Sequence, residues 1–132
     1  MKGVRIHPAE EIKLEKIGDR AGTPRHEAFD FMAESELESS MAFHEFGSKT
    51  ELQLAELEYI PGAEAVVHKH DDDEIIYVVK GEMHFGTRVL GAGSSIYIPG
   101  GTFYGFTAGP NGLRILNFRA SADVSVYFKN DR

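Results

Sequence analysis

From residue 51 onward the chain is a train of short apolar runs, each closed by glycine or proline before a helix of several turns could form. Leu52 and Leu54 alternate with polar neighbours, and the phase then moves to Ala55, Leu57 and Tyr59, which predicts a bulge in a strand. Pro61-Gly62 ends that strand. Ala63–His70 and Glu74–Lys80 read as the next two, the second apolar on both faces, with Ile76 and Val78 on the side of Glu74 and Ile75, Tyr77 and Val79 opposite. Turns at Gly81-Glu82, Gly91–Gly93, Pro99-Gly100-Gly101 and Gly109–Gly112 separate Met83–Leu90, Ser94–Ile98, Thr102–Phe106 and Leu113–Arg119, and Val124–Phe128 is a last alternating strand. Short strands at this spacing predict an all-β chain folded as an antiparallel sandwich or barrel.

Residues 1–50 carry a weaker pattern. Glu11–Ile17 fits a short edge strand or one helical turn, and Glu27–Ser40 has helix formers without a clean period. A length of 132 residues suits one domain over 1–132, with 1–50 as an N-terminal arm and 51–128 as the barrel core. No cysteine is present, which excludes disulfides, zinc–thiolate sites and cysteine nucleophiles, and leaves imidazole and carboxylate as the strong metal ligands. A net charge of −7 with scattered basic residues argues against a nucleic-acid surface. The N-terminus lacks an apolar leader and no run reaches membrane length, so a cytoplasmic protein without a membrane partner is expected.

The chemistry concentrates between Gly62 and Gly81. His68 and His70 leave the same face of a strand. Asp71-Asp72-Asp73 reads as a solvated turn, one member of which could also orient a histidine, and a hairpin there returns Glu74 beside the two imidazoles. Two neutral imidazoles and one carboxylate make a facial triad for a divalent transition metal (Fe, Mn, Ni, Zn or Cu), with open positions for water or substrate.

These residues resemble the cupin superfamily. Its first motif, G-x5-H-x-H-x3,4-E-x6-G, is met by Gly62, His68, His70, Glu74 and Gly81. Its second, G-x5-P-x-G-x2-H-x3-N, is met by Gly93, Pro99 and Gly101, while Tyr104 stands at the histidine and Ala108 at the asparagine. The resemblance implies a small jelly-roll, or double-stranded β-helix, barrel with a metal near its mouth, an organic ligand inside, and a homodimer formed by sheet extension. It also implies a fourth metal ligand, for which Tyr104, His44 or water are the candidates. Tyr104 is expected to stay out of the coordination sphere of His68, His70 and Glu74 and to serve as a catalytic proton donor.

Phe85, Tyr97, Phe103, Phe106 and Phe118 are candidates to line a pocket, and any of Arg88, Arg114 and Arg119 that points inward would anchor a carboxylate. The leading expectation is a metal-dependent enzyme, of oxygenase or isomerase/lyase type, acting on a small oxygenated or aromatic metabolite. A non-catalytic ligand-binding or sensor protein, with or without metal, is the alternative, and a structural dimer module is a third.

Overall fold

A computed structural model describes residues 3–19 and 26–129, with only the backbone of residues 26–28. Nine strands and one short α-helix carry the fold: β1 (Glu15–Lys16), α1 (Glu34–Leu37), β2 (Ser40–Glu45), β3 (Gln53–Tyr59), β4 (Glu64–Lys69), β5 (Glu74–Phe85), β6 (Arg88–Gly91), β7 (Ser95–Ile98), β8 (Tyr104–Arg119) and β9 (Tyr127–Phe128). Every pairing among them is antiparallel. The main path runs β1-β2-β3-β8-β4-β9, and β5 joins through β8 while carrying β6 and β7. The sheet folds over as a jelly-roll sandwich and does not close into a continuous barrel. Among the described residues no helix is long and apolar enough to cross a membrane.

Two of the expected turns are bends within long strands. β5 runs through Gly81-Glu82, and β8 runs through Gly109–Gly112. The two strands pair with each other along most of their length, so both must curve at the same level, and their register shifts there. Gly81 and Gly112 both have positive φ, and a β-carbon on Gly81 would lie 2.2 Å from the Gly112 carbonyl oxygen. Glycine lets the two backbones cross closely where the sheet folds over. The expected Met83–Leu90 strand is instead a hairpin, β5 to β6, turning at Gly86-Thr87.

The phase change at Leu54 and Ala55 has a different origin from the one expected. β3 pairs with β8 without interruption; the bulge lies in the neighbouring β2, between Phe43 and Glu45. Gln53, Ala55, Leu57 and Tyr59 therefore form one inward row, and Leu52 and Leu54 lie off it.

Inside the folded sheet, Tyr59, Ile76, Val78, Met83, Tyr104, Phe106, Leu113 and Ile115 form the main core. A second cluster, Ile17, Met41 and Ala55 with Phe29, Met32, Leu37 and Phe43, packs against it through Leu57. The N-terminal arm thus supplies 3-10 turns (Ala9–Glu11, Ile17–Asp19, His26–Phe31), α1 and β2, which cover one end of the sandwich. Phe31 stacks on Phe128 at 5.5 Å between ring centres, joining this arm to the C-terminal segment.

Residues 120–129 cross the rim beside this arm as a strap. The Asp71-Asp72-Asp73 turn holds it. The Asp71 amide donates to Ser125 Oγ, the Asp72 amide to Asp123, and the Ser121 hydroxyl to Asp72 at 2.5 Å. Asp73 fastens the other side of the rim by accepting from the Gly100 amide and from Tyr97 Oη. The side chains of the three aspartates bond the strap and the rim, through the Asp72 acceptor of Ser121, the Asp73 acceptor of Tyr97 and Gly100, and the Asp71 acceptor of Tyr127.

Candidate functional site

β4, β5 and β8 bring one polar group together at one end of the interior. His68 pairs directly across from Tyr104, and Glu74 sits opposite Arg119. Asn117 lies two residues before Arg119 and so shares its face. His68, His70, Tyr104, Asn117 and Arg119 line a cavity of about 170 Å3, whose remaining wall is mainly apolar and aromatic and includes Tyr59, Phe106, Phe43 and Phe128.

Glu74 is almost wholly buried, and both its oxygens are engaged. Oε1 accepts the Tyr104 hydroxyl. Oε2 accepts Asn117 Nδ2 at 3.0 Å and Arg119 Nε at 2.9 Å, and Arg119 Nη2 lies in ion-pair contact with it at 2.8 Å. Arg119 Nη1 donates to the Asp123 carbonyl at 2.9 Å, which fixes the guanidinium from behind. Burial pushes the Glu74 carboxyl up, but Arg119, His70, Tyr104 and Asn117 outweigh it and hold it below the usual carboxylate range. Burial and the Glu74 charge push the Tyr104 phenol well above its ordinary value. Its proton is therefore committed to Glu74 and is a poor one to give to a substrate.

The imidazoles are set differently. His70 Nδ1–H donates to the Ser125 carbonyl at 2.5 Å, and His68 Nδ1–H donates to the Val66 carbonyl at 2.6 Å. In the neutral rings this leaves the lone pair on Nε2 of each. Burial, and then the Arg119 charge, bring the His70 pKa down to about 3. The rings meet edge-on with centres 4.9 Å apart, and His68 lies 4.5 Å from the Tyr104 ring.

As arranged, these residues do not fit a metal held by both imidazoles and the carboxylate. Among the described residues no three His, Asp or Glu side chains converge as a ligand set. A dication replacing a Glu74 partner would face the Arg119 charge, with a repulsion of about 8 kcal/mol at 4 Å and an effective dielectric of 20. The two imidazoles alone fall short of the three protein ligands that a catalytic site commonly supplies.

Of the other candidates, Phe106 lines the cavity and the rest lie elsewhere. Tyr97, Phe103 and Phe118 are on the outer surface, each at least two-fifths exposed, because their strand parity is opposite to that of Ile98, Tyr104 and Asn117. Phe103 stacks under the Lys69 ammonium at 4.8 Å. Phe85 packs at the edge of the main core. His44 lies on a strand next to β3, as expected, but its ring bonds Glu56 at 2.8 Å away from the cavity. Arg114 is paired with Glu56 and Glu58, and Arg88 is exposed. Asn117 and the Ser125 carbonyl were not among the sequence candidates, and Arg119 was one of three arginines expected to anchor a carboxylate substrate if it pointed inward; it does point inward, but onto Glu74. The available signal was spacing: Asn117 and Arg119 continue the inward row of Leu113 and Ile115.

Comparison with known proteins agrees with this architecture. The family model described as "Cupin domain" matches residues 55–117. No curated protein matches the chain. Among solved structures, an RmlC-like cupin from Shewanella frigidimarina superposes with a TM-score of 0.67 at 22% identity, over 91% of this chain and 93% of that one. The polyketide cyclase RemF from Streptomyces resistomycificus gives 0.70 at 22% identity, over 99% and 88%. KdgF from a Halomonas species gives 0.54 at 25% identity, over 62% and 78%. With the motif glycines, the His-x-His pair and the jelly-roll topology in place, the chain belongs to the cupin superfamily.

Proposed function

We propose that this cupin takes up a small, uncharged aromatic molecule bearing oxygen groups and moves a proton on it at the His68–His70 pair. The observation that carries this is the state of the cavity wall. Among the described residues its one guanidinium, Arg119, is already paired with Glu74, which leaves no described lining cation to hold a carboxylate ligand. Aromatic and aliphatic side chains make up most of the remaining lining. A cavity of about 170 Å3 has room for one substituted ring, since an apolar cavity of about 150 Å3 holds benzene.

His70, kept neutral by burial, accepts a hydrogen bond from a ligand hydroxyl through Nε2 and orients the ring. His68 is less buried and also lines the cavity, and its Nδ1–H is fixed by Val66. Its Nε2 takes a proton from carbon or oxygen next to a carbonyl, and the imidazolium returns that proton elsewhere on the same molecule. The net change is an isomerisation or ring closure without added reactants. The likeness in fold to a polyketide cyclase is consistent with such chemistry.

The test uses ligand-observed NMR with hydroxyacetophenones and, as the charged counterpart, hydroxybenzoates. Neutral ketones are expected to bind at least about tenfold more tightly, and His68→Ala to abolish protein-catalysed deuterium exchange beside the carbonyl while binding persists. Preferential binding of the benzoates would overturn the ligand class. Binding of the ketones with no exchange in the unaltered protein would leave the second reading, a ligand-binding cupin without turnover.

We also propose a homodimer through the outer sheet face. Ile75, Tyr77, Val79, Tyr97 and Phe118 form an exposed apolar patch across β7, β5 and β8. Glu56, Glu58 and Arg114 on the neighbouring strands are already paired within the chain. Light scattering is expected to give twice the chain mass, and Ile75→Glu to give the monomer; a monomer at micromolar concentration in the unaltered protein would refute it.

A further inference from the structure

We propose that Arg119 is the resident cation of this interior, occupying by hydrogen bonds the carboxylate that the His-x-His…Glu spacing otherwise offers to a metal ion. A metal-ligand set presents lone pairs. Around Glu74 the polarity is inverted: Tyr104 presents O–H, Asn117 presents N–H, and Arg119 presents Nε–H with its Nη2 in ion-pair contact. All three donors point at the carboxylate, which the guanidinium neutralises.

The inversion involves several positions that fit one another. Tyr104 stands where the motif has a histidine, and a phenol gives Glu74 a proton where a ligating imidazole would turn its lone pair to the metal. Arg119 is anchored at its far side by the Asp123 carbonyl, so the strap holds the guanidinium against Glu74. Its side chain and that of Glu74 are 5% and 1% exposed, which leaves water little access to screen or replace the pair. The His68 and His70 Nδ1 atoms are held by backbone carbonyls, which fixes the orientation of both rings beside Glu74. On this basis the interior is electrically complete with its own side chains, and removing Arg119 unmasks a cation site made of His68, His70 and Glu74.

The inference concerns the same cavity as the ligand reading, but metal uptake and ketone binding are measured separately, so either can fail alone. Chelator-treated protein is dialysed against Zn2+, Mn2+ or Ni2+ in turn, and metal per chain is counted by elemental analysis. The unaltered chain is expected to retain less than about a tenth of an equivalent and to show no metal-dependent shift in thermal midpoint. Arg119→Met is expected to take up about one equivalent, and Arg119→Lys, which keeps a positive charge, to take up little. The double variant Arg119→Met, Glu74→Gln should lose the uptake of Arg119→Met. One equivalent in the unaltered chain, lost on Glu74→Gln, would overturn the proposal. So would a folded Arg119→Met that takes up none. Should Arg119→Met fail to fold, Arg119→Gln carries the same comparison, and the unaltered chain still gives a decisive result.

Discussion

The Glu74–Arg119 pair allows a stability prediction whose size follows from its burial. Both side chains are nearly inaccessible, and two guanidinium nitrogens of Arg119 lie within 2.9 Å of one carboxylate oxygen. Removing one partner of such a pair leaves the other charge buried, which costs about 3–5 kcal/mol. Arg119→Met and Glu74→Gln are therefore each expected to lose about that much in urea unfolding followed by circular dichroism. A domain of this size has a total of roughly 5–15 kcal/mol, so the loss is a large part of it. The double variant strands no charge and keeps a carbonyl for Tyr104. It is expected to be more stable than either single variant and to fall short of the additive loss by at least about 3 kcal/mol. The pH dependence has a definite sign. In the unaltered chain the Glu74 pKa is held low, so its contribution is present above the unfolded carboxylate value and is lost as pH falls through the folded one. In Arg119→Met burial wins and the pKa rises, so protonation relieves the variant and its deficit narrows below about pH 5. An Arg119→Met loss under about 1 kcal/mol, or a double variant equal to the sum of the singles, would refute the reasoning.

Three further outcomes can be checked. Tyr104→Phe removes one hydrogen bond to a buried carboxylate and is expected to cost about 1.5–3 kcal/mol in the same assay, without changing ketone affinity by more than about threefold. Gly81→Ala meets both a φ of +81° and the Gly112 carbonyl 2.2 Å away, and should cost more than about 2 kcal/mol; an unchanged urea midpoint would show that the crossing of β5 and β8 tolerates a side chain. Asp72→Ala removes the acceptor of the Ser121 hydroxyl, and hydrogen exchange is expected to quicken in residues 121–127 while β5 and β8 stay protected.

The strand text after residue 51 was legible because glycine, proline and period-two alternation all report local backbone geometry. Glu74, Ile76 and Val78 face inward and Ile75, Tyr77 and Val79 outward, as their alternation implied. The motif residues His68, His70, Glu74 and Tyr104 also assemble around one point of the interior. What failed was parity on β8. Leu116 and Phe118 have the look of an inward apolar row, and Asn117 and Arg119 that of a solvent face, yet the polar pair is inside. Only Glu74 makes that placement favourable, and Glu74 is more than forty residues away in sequence. The same long-range cause hid the bends at Gly81 and Gly112, which arise because two strands must curve together. The arm was obscure for another reason: its 3-10 turns are too short to leave a period.

The strap bears on the order in which this interior is completed. Residues 120–129 follow, in chain order, every strand that walls the cavity except β9. Until they dock, Ser125 is not there to accept from His70, and Asp123 is not there to brace Arg119. The nascent chain can therefore pair β3, β5 and β8 around an open bowl whose imidazole and guanidinium are not yet aimed. Closing residues 120–129 onto the acidic turn is then the step that converts a folded sheet into a chemically defined chamber. A change within that segment acts on the chemistry of this interior before it acts on the fold.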